Sequence, residues 1–186
     1  MLRLNVIIAS TRPGRVGPSV ARWFHEFAVK QGLFDTHLVD LADFDLPVYD
    51  EPNHPRLGKY EHAHTRRWSE SVAAADAFVF VTPEYNYGPT PALLNALNYV
   101  YSEWGYKPCS FVSYGGVSGG LRAVQMTKLT MSALRLVPIV EAVTIPMVNQ
   151  HLKDGVFEPN KLHIESAEAL LVELKRWAEA LKPLRG

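Results

Sequence analysis

Short apolar runs and amphipathic stretches alternate along the chain. The runs at 3–9, 36–41, 77–82, 110–114 and 140–145 are brief and rich in Val, Ile or Phe, as β-strands are. The third contains "AFVFV", apolar on both faces, which suits a parallel strand covered by helices above and below. Helical periodicity fills the gaps. Pro18 suits a first helical position, and Val20, Phe24 and Phe27 follow at spacings of four and three. Residues 62–75, 91–101 and 119–135 predict further helices, and "ESAEALLVELKRWAEAL" sets Leu170, Leu174, Trp177, Ala178 and Leu181 on one stripe. Five strands alternating with five helices predict an α/β domain built on a parallel sheet. The irregular stretch 42–61 carries Pro47, Pro52 and Pro55 and reads as a loop within a single domain spanning 1–186.

Composition narrows the function. With 47% hydrophobic residues and 19 basic against 19 acidic side chains, the chain has the makings of a core and no charge excess. That balance argues against a nucleic-acid partner and against a strongly acidic electron carrier. Cys109 is the sole cysteine, so no intramolecular disulfide forms. No stretch approaches the roughly 20 apolar residues that span a bilayer, and "MLRLNVIIAS" is too short in its apolar part for a secretion signal. The expectation is a cytoplasmic protein without membrane insertion.

The strand ends carry the chemistry. In a parallel α/β sheet, ligands bind beyond the carboxyl ends of the strands, where strand order reverses. After the first strand, Ser10 and Thr11 offer hydroxyls and Arg12 and Arg15 offer guanidinium forks, just ahead of a helix N-terminus that favours an anion. The loop lacks both G-x-G-x-x-G and the Walker lysine, so it reads as a phosphate site of another kind, or as a surface turn with incidental arginines. After the third strand, "PEYNYGPTP" (83–91) is stiff and aromatic, suited to a flat heteroaromatic ring or to a rigid turn capping the sheet. After the fourth, "GGVSGG" (115–120) lets backbone N–H groups approach a ligand closely.

These residues together resemble the NADPH-dependent FMN reductase family, flavodoxin-like enzymes that include quinone, azo-dye and chromate reductases. "ASTRPGRVG" is similar to the family's phosphate loop of the form G-S-x-R. "TPEYNYG" is similar to its P-E-Y-N ring-binding loop, and "SYGGVSGGLRA" to its S-x-G-G…G-G-x-R-A segment; the likeness covers nearly the whole chain. The resemblance implies a doubly wound five-stranded sheet of order 2-1-3-4-5, with FMN at the switch point and NADPH or NADH as reductant. It implies that Ser10, Arg12, Arg15, Val16 and Gly17 hold the FMN phosphate. Pro83, Glu84, Tyr85 and Asn86 would line one edge of the isoalloxazine, and Ser113, Gly115, Gly116 and Val117 its pyrimidine side. Tyr85 and Tyr87 would frame the substrate. The activity so implied carries hydride from NAD(P)H through FMN to a small acceptor (a quinone, free flavin, azo compound or metal oxyanion); if donor and acceptor use one flavin face in turn, the order is ping-pong and no side-chain acid or base is obligatory. The chain departs from the family pattern at Tyr87 and Gly88, at Thr90-Pro91, and at Leu94 ahead of Asn95 and Ala96.

Other readings compete. Gly116-Val117-Ser118-Gly119-Gly120 reads G-x-S-x-G between a strand and a helix, and Asp154 and His163 follow in the order of a hydrolase triad. That reading leaves one strand to carry both partners and gives the arginine loop no role. A non-enzymatic flavin protein that shuttles electrons or senses redox state is the third class. His54, His62 and His64 cluster in sequence, but the last two would face apart on a helix and read as solvated, not as metal ligands. Cys109 reads as inert packing. A homodimer or dimer of dimers is expected from the family. It also fits the apolar girth of the helix from Pro91 (Ala92, Leu93, Leu94, Ala96, Leu97, Tyr99, Val100), with Met126, Leu129, Met131 and Leu134 on the next one.

Overall fold

Alternation along each strand decides which layer a side chain joins. In the computed structural model, which describes residues 1–185, β1 (Arg3–Ile8) sends Leu4, Val6 and Ile8 to one face and Ile7 to the other. β3 (Ala77–Pro83) repeats this with Ala77, Val79 and Val81 opposite Phe78 and Phe80; β4 (Pro108–Tyr114) does so with Val112 and Tyr114 opposite Cys109 and Phe111. Both faces are apolar, so both need helices. α1 (Gly17–Gln31) and α5 (Lys161–Leu181) cover the first face, while α2 (Ala63–Ala74), α3 (Pro91–Tyr99) and α4 (Leu121–Ala133) cover the second.

With β2 (Asp35–Asp40), β5 (Val137–Pro138) and β6 (Val143–Ile145), the sheet is parallel in the order β2-β1-β3-β4-β5, and β6 also pairs with β4. This is the flavodoxin-like order that the family resemblance implies. Strand order reverses between β1 and β3, so their carboxyl ends open a crevice for a ligand. Local signals set the helix ends. Thr90 caps α3 by accepting from the Leu93 N–H (3.1 Å) and donates to the Ala9 carbonyl (2.5 Å), tying the start of α3 to the end of β1. Asn160 and His163 form a reciprocal capping box at the start of α5.

Several expectations need correction. The fifth strand is not the continuous run 140–145. It pairs with β4 at 137–138 and again at 143–145, and between them Val140 is 88% exposed while the Glu141 carbonyl accepts from Ser110 Oγ. A short antiparallel hairpin, β7 (Leu152–Lys153) with β8 (Val156–Phe157), follows where the sequence reading placed nothing. α5 begins at Lys161, and its buried stripe runs through Ala167, Leu170, Leu171, Leu174 and Ala178, leaving Trp177 42% exposed. The apolar girth of α3 is absorbed by the chain's own core, as are Met131 and Leu134; Leu121, Met126 and Leu129 stay exposed on α4.

Candidate functional site

Three loops meet beyond the carboxyl ends of β1, β3 and β4, which are consecutive in the sheet with β3 between the other two. In the first, Ser10 is fully buried, and its Oγ lies 3.4 Å from the Tyr114 hydroxyl at the end of β4. Gly17 closes this corner. A Cβ there would stand 2.4 Å from Ser10 Oγ and 2.8 Å from the Tyr114 hydroxyl, so only glycine lets the first turn of α1 approach both. No side chain caps that turn; Pro18 has no N–H and the Ser19 N–H bonds the Val16 carbonyl (3.0 Å), so the helix dipole is what attracts negative charge there. Burial raises the Tyr114 phenol to about 12, against the Ser10 hydrogen bond and the positive charges of Arg15 and Arg12, which pull it down.

The two arginines differ in partners. Arg15 is held by Asp40 through a fork (NH1 to Oδ1 2.8 Å, NH2 to Oδ2 2.6 Å) and also donates to the Ser10 carbonyl. Its terminal nitrogens are committed to shaping the loop. Arg12 is exposed, and its side chain forms no ion pair among the described residues.

The second loop is a tight hairpin. Tyr85 and Gly88 exchange backbone hydrogen bonds (3.0 and 2.9 Å), and Asn86 and Tyr87 sit between them at φ 49° and 70°. Such a two-residue turn demands left-handed backbone at both positions, which Asn tolerates and Tyr adopts only under restraint. The restraint is visible: the Arg122 guanidinium lies 3.7 Å above the Tyr87 ring. Tyr85 is half-buried at the base of the hairpin, and Pro83 is buried as the last residue of β3.

The third loop follows Ser113, which is buried in β4. Gly115 and Gly116 offer their carbonyls to the N–H groups of Val148 and Met147 (3.0 and 2.8 Å), which pins the loop to the segment after β6. Gly119 and Gly120 have φ of 59° and 86° and no space for a side chain, whereas a Cβ on Gly116 would meet nothing within 4 Å. Gly116 and Val117 thus face open space from a fixed loop, with Val117 89% exposed.

Glu84 joins the second and third loops. Its carboxylate accepts from Ser118 Oγ (2.9 Å), from the Arg122 N–H (3.1 Å) and from Arg122 Nε (2.7 Å). Burial pushes the Glu84 carboxyl up, but these donors outweigh it and hold the pKa below its ordinary value. Sequence reasoning placed Glu84 at the ring edge and gave Arg122 no role, although the arginine stands in the G-G-x-R-A segment. Tyr114 and Asp40 were likewise missed, since their roles come from partners 104 and 25 residues away.

Other candidates separate. Ser118 bonds Glu84 and Arg122, while His163 serves the α5 capping box, so no contact among the described residues joins Ser118, Asp154 and His163 as a triad. His62 and His64 do not face apart. His62 is the N-cap of α2, outside the helix, so the two rings stack 5.2 Å apart and both approach Asp50. Among the described residues no group of three or more His, Cys, Asp or Glu is placed to hold a metal ion. Cys109 is fully buried, its thiol pushed up by desolvation. A groove of about 730 Å³ is lined by Thr11, by residues between 41 and 48 and by α3; Leu94 lines it, so that departure shares a groove with the first loop.

The sequence matches the NADPH-dependent FMN reductase family over residues 2–150. The chain belongs to that family. The family makes it an oxidoreductase that works with FMN and NAD(P)H. It is 39% identical to an NAD(P)H-dependent FMN reductase of Schizosaccharomyces pombe, over 84% of this chain and 79% of that one. It is 33% identical to an NAD(P)H-dependent FMN reductase of a Nectria species, over 98% of this chain and 90% of that one. Among solved structures it resembles a flavoenzyme NAD(P)H:(acceptor) oxidoreductase of Paracoccus denitrificans, with a TM-score of 0.76 at 20% identity, covering 97% of this chain and 98% of that one. The residues of this FMN reductase fit the cofactor: the start of α1 carries no side-chain cap, the Arg12 guanidinium forms no ion pair among the described residues, and fixed glycine backbone faces open space at Gly116.

Proposed function

We propose that FMN lies across the three loops and that this protein reduces small planar acceptors at its exposed face. The Arg12 guanidinium and the backbone of Val16 and Gly17 would hold the phosphate, with the buried Ser10 hydroxyl shaping the corner behind them and Arg15 fixing the loop from Asp40. Pro83, Glu84, Tyr85 and Asn86 would border the ring on one side, and Ser113, Gly115, Gly116 and Val117 on the pyrimidine side. Bound FMN supplies the redox chemistry, accepting hydride from NAD(P)H and returning reducing equivalents to the acceptor. The chain's own part is to bind, to orient and to offer N–H dipoles where negative charge collects. No side-chain acid or base is required for that.

The observation that carries this reading is the convergence of the three family loops at neighbouring strand ends, with the glycine backbone at Gly116 facing open space. The acceptor class follows from shape. Tyr85 and Tyr87 give a planar molecule (a quinone, a free flavin or an azo compound) something to stack on, and a metal oxyanion needs only approach. The reading includes a cytoplasmic setting, which the lone buried thiol suits, and a homodimer; among the described residues no helix is long and apolar enough to cross a membrane.

If donor and acceptor use one face in turn, both cannot be productively bound together. Initial rates with NAD(P)H and a quinone should then give parallel lines in double-reciprocal plots. Intersecting lines would show that both occupy the enzyme at once.

A further inference from the structure

Glu84 brings a carboxylate between the two loops assigned above to the flavin ring, where reduction adds negative charge. Its side chain is only 7% exposed. Besides Ser118 Oγ and the Arg122 N–H, it meets Arg122 Nε at 2.7 Å, and the Arg122 NH2 group closes a second contact on the same oxygen. A buried carboxylate deprived of its cation is an uncompensated charge in a medium that screens it poorly. The same guanidinium covers Tyr87, whose left-handed backbone needs holding. Behind this pair a recess of about 420 Å³ is lined by Tyr87, Leu121, Arg122, Gln125 and Met126, with Arg122 the charged member of that lining. One side chain therefore neutralises Glu84 and fastens the hairpin.

We propose that Arg122 is a positioning residue that cancels the Glu84 charge beside the isoalloxazine and keeps the 85–88 hairpin closed against α4. The negative charge gained on reduction then meets the amides of the third loop and no bare carboxylate. This rests on the FMN reading above. Charge and shape both matter, because a lysine supplies a point charge but neither the fork to the carboxylate nor the plane that stacks on tyrosine.

The test is the affinity of oxidised and reduced FMN for the reconstituted full chain, together with the midpoint potential of the bound flavin. Arg122→Gln should weaken reduced FMN about tenfold more than oxidised FMN, lowering the two-electron midpoint by about 30 mV. Glu84→Gln, which leaves the arginine uncompensated, should raise the midpoint. The double variant Glu84→Gln/Arg122→Gln should bring the affinity ratio back to within about threefold of wild type. Arg122→Lys should keep the potential near wild type while loosening both redox states. A brace without an electrostatic role would weaken both states equally and leave the double variant no better than Arg122→Gln; either result overturns the proposal. Should Arg122→Gln fail to fold, Glu84→Gln decides alone, and an unchanged or lowered midpoint overturns it. Wild-type protein that takes up no FMN on titration would sink the site reading and this proposal with it. FMN uptake with unshifted variants would sink only the proposal.

Discussion

Arg12 and Arg15 leave the same loop three residues apart, but among the described residues Arg15 meets a carboxylate, in a fork with Asp40 at 2.8 and 2.6 Å, and Arg12 forms no ion pair. A guanidinium so held shapes backbone, while an exposed one is available to a ligand. The sequence shows two arginines in a loop and cannot separate them, because Asp40 lies at the far end of β2. Arg12→Ala should therefore remove a ligand contact and little else. A charge-assisted hydrogen bond is worth roughly 1.5–3 kcal/mol, so FMN should bind about one to two orders of magnitude more weakly to this variant. Titration of the apoprotein with FMN measures this, and an affinity equal to wild type would remove Arg12 from the site.

Elements were legible to the degree that their signals are local. β1, β3 and β4 announce themselves by apolar runs buried on both faces, and α1 by Pro18 and its spaced hydrophobes. The fifth strand was misread because Val140 is apolar yet 88% exposed, in a segment that leaves the sheet between its two pairings. The β7–β8 hairpin did carry a signal, Asp154-Gly155 in left-handed backbone, a pair suited to such turns. Of the site, the loops could be read but their coupling could not: Glu84 and Arg122 are 38 residues apart and joined only by the fold. The meeting of α1 with β4 is equally invisible in sequence and equally testable. Gly17→Ala puts a methyl 2.4 Å from Ser10 Oγ, in a corner where neither neighbour is free to move. Overpacking of this kind costs about 1–3 kcal/mol. The denaturation midpoint should fall and FMN affinity should fall with it. A variant unchanged in both would mean the corner is looser than it looks.

At the scale of the molecule, the core accounts for much of the apolar surface that sequence reading set aside for an interface. Met131 and Leu134 are buried within the chain, and so is most of α3, but Leu129 is 78% exposed, with Met126 and Leu121 about half exposed beside it. A second copy of the chain covering that face would make the protein a dimer or larger at micromolar concentration, and Leu129→Asp should shift it towards monomer, with a denaturation midpoint that no longer rises with protein concentration. Sedimentation of the two proteins decides this; a monomeric wild type would rule the interface out.

The central claim is that the crevice at the β1, β3 and β4 ends holds FMN where NAD(P)H can reach it. Anaerobic stopped-flow mixing of the FMN-loaded protein with NAD(P)H alone tests this most directly. The visible absorption of the bound flavin should bleach with no acceptor present, at a rate no slower than steady-state turnover. A bound flavin that stays oxidised until an acceptor is added, or that bleaches more slowly than the enzyme turns over, would contradict the account.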